Sequence, residues 1–167
     1  AHGGKVIDAL RSSAAPPASE VSEDILRSAY EEFVRNYEPE WGGFGTGEQF
    51  PRASVFNFLL RLHATAPASP EGKAALEMTR NTLHKMASGG IRDHIGGGFH
   101  RYAVDRAWRV PHFEKMLCDQ AQLAVTYCEA WQITGDPLFL DVARSTLEYV
   151  LRELTHPEGG FFSAADA

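Results

Sequence analysis

Three times in 167 residues the chain reads Gly-Gly-Phe, at 42–44, 97–99 and 159–161. The phenylalanines stand 55 and then 62 residues apart, and each interval holds two stretches of helical period. Paired glycines let the backbone turn where side-chain-bearing residues are strained. A supersecondary unit recurring at such a period marks a repeat architecture, in which each unit buries its apolar face on the next. The predicted fold class is all-α: helical hairpins joined by short β-like Gly-Gly-Phe loops. About two and a half units are present and the chain ends at Ala167 directly after a turn motif, so we expect part of a larger ring of hairpins.

The helices follow from apolar spacing and from their stop signals. Residues 4–11 predict a short helical stretch, and the Ser/Ala/Pro run at 12–19 predicts a linker, with a boundary near 19. A first helix starts at Ser22 as cap, runs through Ile25, Leu26, Ala29, Phe33 and Tyr37, and ends at Pro39. The second spans 53–64 and is apolar on more than one side. The third spans 70–88 and stops at Gly89-Gly90. The fourth is expected over 111–133, with Pro111 in its first turn and apolar residues on nearly every face, and so packed all round. Thr-Gly-Asp-Pro at 134–137 closes it and caps a fifth helix over 137–154.

Composition bounds the function classes. The chain is 44% apolar and 23% charged, as in globular domains. A net charge of −6 argues against a nucleic-acid partner. No apolar run approaches the roughly 20 residues of a membrane span. Cys118 and Cys128 lie about 15 Å apart along one predicted helix, so they cannot pair, and both are expected to be buried structural thiols. A reducing, cytoplasmic compartment is the default expectation.

Long motifs carry a family resemblance over residues 19–167. These are G-G-I-R-D-H-I-G-G-G-F-H-R-Y at 89–102, W-R-V-P-H-F-E-K-M-L at 108–117, D-Q-A-Q-L-A at 119–124 and G-G-F-F-S-A at 159–164. They resemble the YyaL-like family, also called the spermatogenesis-associated thioredoxin-like proteins. The resemblance implies the N-terminal part of an (α/α)6 barrel, similar to N-acylglucosamine 2-epimerases and six-hairpin glycosidases. It also implies a thioredoxin-like domain elsewhere in the protein, with residues 1–18 as its junction. Two positions depart from the family pattern. A cationic position is Gln49, and a carboxylate position is Ala165.

Polar chemistry concentrates between Asp93 and Gln120, which hold three of the seven histidines, four cations and four carboxylates. In a ring of hairpins such loops line a funnel. His94, His100 and His112 are candidate acid–base groups, since imidazole titrates near neutral pH; they equally suit loop-tying and helix-end roles. Glu114 and Asp119 are candidate carboxylates, Glu114 in a helical first turn. Phe99 and Trp108 are candidate flat faces for a sugar ring, or core residues. Arg101 and Lys115 are candidate holders of a polar or anionic group, although Arg101 can instead clasp Asp105. The His and Glu spacings match no standard zinc pattern, and no cofactor is expected. The expected ligand is a carbohydrate, epimerised, isomerised or hydrolysed; the alternative is a non-catalytic module serving the thioredoxin-like domain. Open apolar surface on a partial ring further predicts self-association.

Overall fold

The computed structural model describes residues 23–166. The expected stretch over 4–11, the linker, the 1–18 junction and the Ser22 cap lie outside the described residues. Five helices are described: α1 (Glu23–Asn36), α2 (Ala53–Thr65), α3 (Pro70–Ser88), α4 (Leu117–Thr134) and α5 (Pro137–Glu153). Four two-residue strands join them: β1 (Tyr102–Ala103), β2 (Pro111–His112), β3 (Lys115–Met116) and β4 (Ala164–Ala165). The chain divides into two compact units, 1–32 and 33–167. In the first, the described part is the start of α1, with an Arg27–Glu31 ion pair at 3.2 Å one helical turn apart.

In the second unit α2 packs against α3 and α4, and α4 against α5. The core is Phe56 and Leu60 of α2, Leu83 and Met86 of α3, Leu123 and Tyr127 of α4, and Phe139 and Val142 of α5. The hairpin ends follow the sequence signals. Ser69 caps α3 by accepting from Gly72 N–H (2.9 Å), and Asp136 caps α5 by accepting from Leu138 N–H (3.0 Å). Gly135, at φ 70°, ends α4 in the left-handed conformation.

The fourth helix departs from expectation in two ways. It begins at Leu117, because residues 111–116 are extended and their backbone is taken by other segments. β2 pairs antiparallel with β1, and β3 with β4. Arg101 N–H donates to Glu114 O (2.8 Å) and Leu117 N–H to Ser163 O (2.9 Å). Glu114 is therefore in no helical turn. Nor is α4 packed all round: Cys118, Ala121, Gln122 and Val125 lie on an exposed face. Cys118 is likewise exposed and Cys128 half-buried, not a pair of buried thiols.

The three Gly-Gly-Phe turns are one structure used three times. Both glycines are at positive φ in each copy, between 69° and 99°. The second glycine's carbonyl accepts from a backbone N–H upstream in every copy: Glu38 to Gly43 (3.1 Å), Asp93 to Gly98 (3.0 Å) and His156 to Gly160 (3.0 Å). Each phenylalanine then bridges back, Phe44 to Tyr37, Phe99 to Arg92 and Phe161 to Thr155. Their surroundings differ. A Cβ on Gly42 would lie 2.7 Å from Thr82 Cα, whereas one on Gly160 would meet nothing within 4 Å. Gly160→Ala should therefore cost only the backbone strain, about 1 kcal/mol. Gly42→Ala adds a clash with the α3 backbone and should cost about 3 kcal/mol. Urea unfolding of the two variants checks the difference.

Candidate functional site

The Asp93–Gln120 stretch folds as a hairpin whose ends are fixed by polar contacts. At its tip Asp105 accepts from the N–H groups of Ala107 (2.8 Å), Arg109 and Val110 (2.7 Å). Burial raises its carboxyl pKa, but these three donors outweigh that and hold it below the usual range. The expected Arg101–Asp105 clasp is absent, because Asp105 serves the loop backbone and Arg101 pairs with Glu114 instead (3.1 Å).

Along the hairpin, Gln49 and Ala103 exchange both backbone hydrogen bonds at 2.9 Å, which adds residue 49 as a strand-like neighbour of β1. Successive residues on an extended chain face opposite ways. Gln49 and Ala103 turn to the core, at 2% and 0% exposure. Phe50, Tyr102 and His112 stand side by side in the next row and stack: Phe50 on Tyr102 at 4.7 Å and Tyr102 on His112 at 5.0 Å, both nearly parallel. The Gln49 departure thus falls on a buried residue, whose Nε2 donates to Gly45 O (3.2 Å).

Four of the expected site residues serve the protein interior. Phe99 is fully buried and stacked on Tyr127 (5.5 Å), so it has no face for a sugar. Trp108 is also fully buried; its indole N–H donates to Trp41 O (3.1 Å), and this packing holds it at φ 60°, a strained position for a bulky residue. Lys115 is not free to hold a substrate. Its amine donates to Asp93 Oδ2 (2.8 Å) and Gly97 O (2.9 Å) and lies 4.3 Å from the Tyr149 ring centre. His100 is turned inward, its Nδ1 3.1 Å from Phe113 O. Burial pushes the imidazole pKa down, and Lys115 adds to this, against the raising effects of the Phe113 carbonyl and Asp93.

The three histidines keep different company. His94 is exposed with Nε2 2.9 Å from Gly89 O, His112 is exposed on the Tyr102 ring, and His100 is interior. What does assemble lies at the base of the hairpin and the start of α4. Arg101 pairs with Glu114, and both act electrostatically on Asp119. Burial raises the Asp119 carboxyl pKa and Glu114 raises it further, while Arg101 and the Cys118 thiol (3.8 Å) oppose this. Phe113, next to Glu114 in the sequence, is 61% exposed, with its ring edge-on to His100 (5.1 Å). Among the described residues no group of three or more His, Cys, Asp or Glu is placed to hold a metal. No described helix is long and apolar enough to cross a membrane.

Sequence reasoning missed Phe113 as the exposed ring, because it was placed inside a helix that starts later. It also missed Gln120. This side chain is fully buried: its Oε1 accepts from Phe99 N–H (2.7 Å) and its Nε2 donates to Phe99 O (2.7 Å). The signal was available. Gln120, Leu123, Ala124 and Tyr127 share a helical stripe, so one amide sits in an otherwise apolar face.

No family model matches the chain. It is 50% identical over 138 residues to "Spermatogenesis-associated protein 20" of Rattus norvegicus and 49% identical over 143 residues to that of Homo sapiens, covering 83% and 86% of this chain. The chain spans 18% of the length of these relatives. Among solved structures, cellobiose 2-epimerase from Bacillus thermoamylovorans superposes with a TM-score of 0.69 at 14% identity, over 86% of this chain and 40% of that one. A family 76 glycoside hydrolase (mannosidase) from Bacteroides thetaiotaomicron gives 0.57 at 16% identity, over 70% and 30%. At these identities the likeness concerns the fold, which is that of the (α/α)6 toroid epimerases and glycosidases.

Proposed function

We propose, for a chain homologous to a segment of spermatogenesis-associated protein 20, that it forms part of a carbohydrate-acting (α/α)6 domain. The observation that carries this reading is the Arg101–Glu114–Asp119 cluster. Two carboxylates in unlike settings are what acid–base chemistry on a sugar needs. Asp119, half-buried and with a raised pKa, keeps its proton longer and acts as the acid. Glu114, paired with a guanidinium, acts as the base or ion stabiliser, and Arg101 orients a hydroxyl. The toroid neighbours include a sugar epimerase from a ruminal bacterium and a D-mannose isomerase, which supports epimerisation or isomerisation as the first chemistry to test.

The test is a sugar panel on the full-length protein, read by hydrogen exchange at carbon 2 in heavy water and by release of new reducing ends. Asp119→Asn and Glu114→Gln should each lower turnover about 100-fold or more. A general acid must be protonated, so the rate should fall as pH rises through the Asp119 pKa, and that limb should vanish in Asp119→Asn. No binding and no turnover of any sugar would overturn the reading.

A second reading, a non-catalytic module working with a thioredoxin-like domain in the cytoplasm, is favoured by the inward placement of His100 and Lys115. It also draws on Ala165, which pairs with Lys115 between β3 and β4 where the family pattern has a carboxylate. It predicts sugar binding without turnover, or binding of the thioredoxin-like domain alone.

A further inference from the structure

At the other end of the same hairpin lies a recess of about 250 Å³, lined by Arg35, Asn36, Tyr37, Glu38, Thr46 and Arg106. Its lining residues are tied to the first Gly-Gly-Phe turn: Tyr37 bridges to Phe44, and Gly45 N–H donates to Asn36 O (2.8 Å). Tyr37 is fixed there: its hydroxyl accepts from Asn81 Nδ2 (2.7 Å), and its ring packs 5.8 Å from that of Phe44.

The polar groups in the recess are incompletely used. Glu38 Oε1 accepts from Glu40 N–H (2.9 Å), but Glu38 Oε2 is buried without a hydrogen-bond partner. Arg106 stands between two carboxylates at 3.9 Å from Glu38 Oε2 and 3.8 Å from Glu40 Oε2. Those distances keep the attraction of opposite charges but exceed hydrogen-bond reach. A buried carboxylate oxygen with no donor is costly, so such an atom asks for one.

We infer that this recess is a second binding site, for a neutral ligand with neighbouring hydroxyl groups such as a pyranose sugar. A hydroxyl both accepts and donates, so one placed between Arg106 Nη1 and Glu38 Oε2 completes both groups at once. A neighbouring hydroxyl reaches Arg106 Nη2, which lies 3.8 Å from the largely exposed Glu40 carboxylate beside the recess. Glu38 in the lining, with Glu40 on Arg106 beside it, disfavours an anionic ligand, and the guanidinium groups of Arg35 and Arg106 disfavour a cationic one. The volume exceeds the roughly 30 Å³ of one water several-fold and suits a single sugar ring. Tyr37 offers that ring an aromatic wall. The site is separate from the Arg101–Glu114–Asp119 cluster, since Arg106 is in the tip loop and Arg101 and Glu114 are at the base.

The Thr46 methyl resonance of the full-length protein, titrated with methyl β-D-glucopyranoside and methyl α-D-mannopyranoside, tests this. We expect a saturable shift in the wild type and in Asp119→Asn. Glu38→Gln, which keeps shape but turns an acceptor edge into a donor, should weaken it about 10-fold or more. Arg106→Lys keeps the charge, loses the planar fork and should weaken it too, which guards against misfolding of the first variant. An unmoved Thr46 methyl in the wild type would overturn the inference, as would equal titrations in wild type and both variants. Turnover at the Asp119 cluster with a silent Thr46 would sink the second site alone; the converse would sink only the proposed chemistry.

Discussion

Gln120→Leu is expected to destabilise the chain by about 4 kcal/mol. Leucine fits the volume, but it leaves the N–H and C=O of Phe99 buried without partners, each costing about 1–3 kcal/mol. Both bonds are 2.7 Å long and wholly buried, so water cannot replace them. Gln120→Glu is the informative companion. It keeps the acceptor for Phe99 N–H and loses the donor to Phe99 O, so a carboxyl there must take up a proton. Its deficit should be smaller at pH 4 than at pH 8. Urea unfolding followed by tryptophan fluorescence reads both variants; a Gln120→Leu loss under 1 kcal/mol would show that the Gly-Gly-Phe turn is held by packing alone.

Lys115→Met should cost about 3 kcal/mol, through a different mechanism. The lysine side chain is 9% exposed and its Asp93 partner 27%. Breaking a fully buried pair costs about 3–5 kcal/mol, and the partial access of Asp93 to water trims that figure. The lost bond to Gly97 O also loosens the turn that carries Phe99. Asp93 gives this prediction a pH signature. Burial raises its carboxyl pKa, but donation from Lys115 and from the Gly96 and Ile95 N–H groups outweighs this and holds it far below the usual carboxylate range. A group with a depressed folded pKa stabilises the fold fully above its unfolded pKa of about 4 and less as pH falls below that. Much of this depression goes with the lysine. The gap between wild type and Lys115→Met should therefore be full at pH 7 and narrow as pH drops below about 4. A gap that stays constant down to pH 3 would assign the loss to packing.

Much of the fold was written locally. Ser69-Pro70 and Asp136-Pro137 start helices because their side chains and missing N–H groups act within three residues. The triple Gly-Gly-Phe signal held for the same reason: positive φ at two successive positions is a property of glycine itself. The fourth helix failed at its start because nothing local marks residues 111–116 as extended. Their backbone bonds go to partners at 101–104 and 163–165, distant in sequence.

The candidate site was less legible than the fold. The sequence placed the polar chemistry between Asp93 and Gln120, and the Arg101–Glu114–Asp119 cluster lies there. It did not separate side chains that face water from those that do not. Phe99 and Phe113 each adjoin a histidine in the sequence, yet one is buried and the other 61% exposed. Lys115 and Arg101 are both cations in one hairpin, yet one is locked on Asp93 and Gly97 O while the other is 42% exposed and pairs with Glu114. Residue order determined the hairpin repeat, the turns and the caps, since those depend on torsions and on bonds a few residues long. Only the tertiary structure decided which polar groups became scaffold and which stayed available, because exposure is a sum over contacts from distant segments.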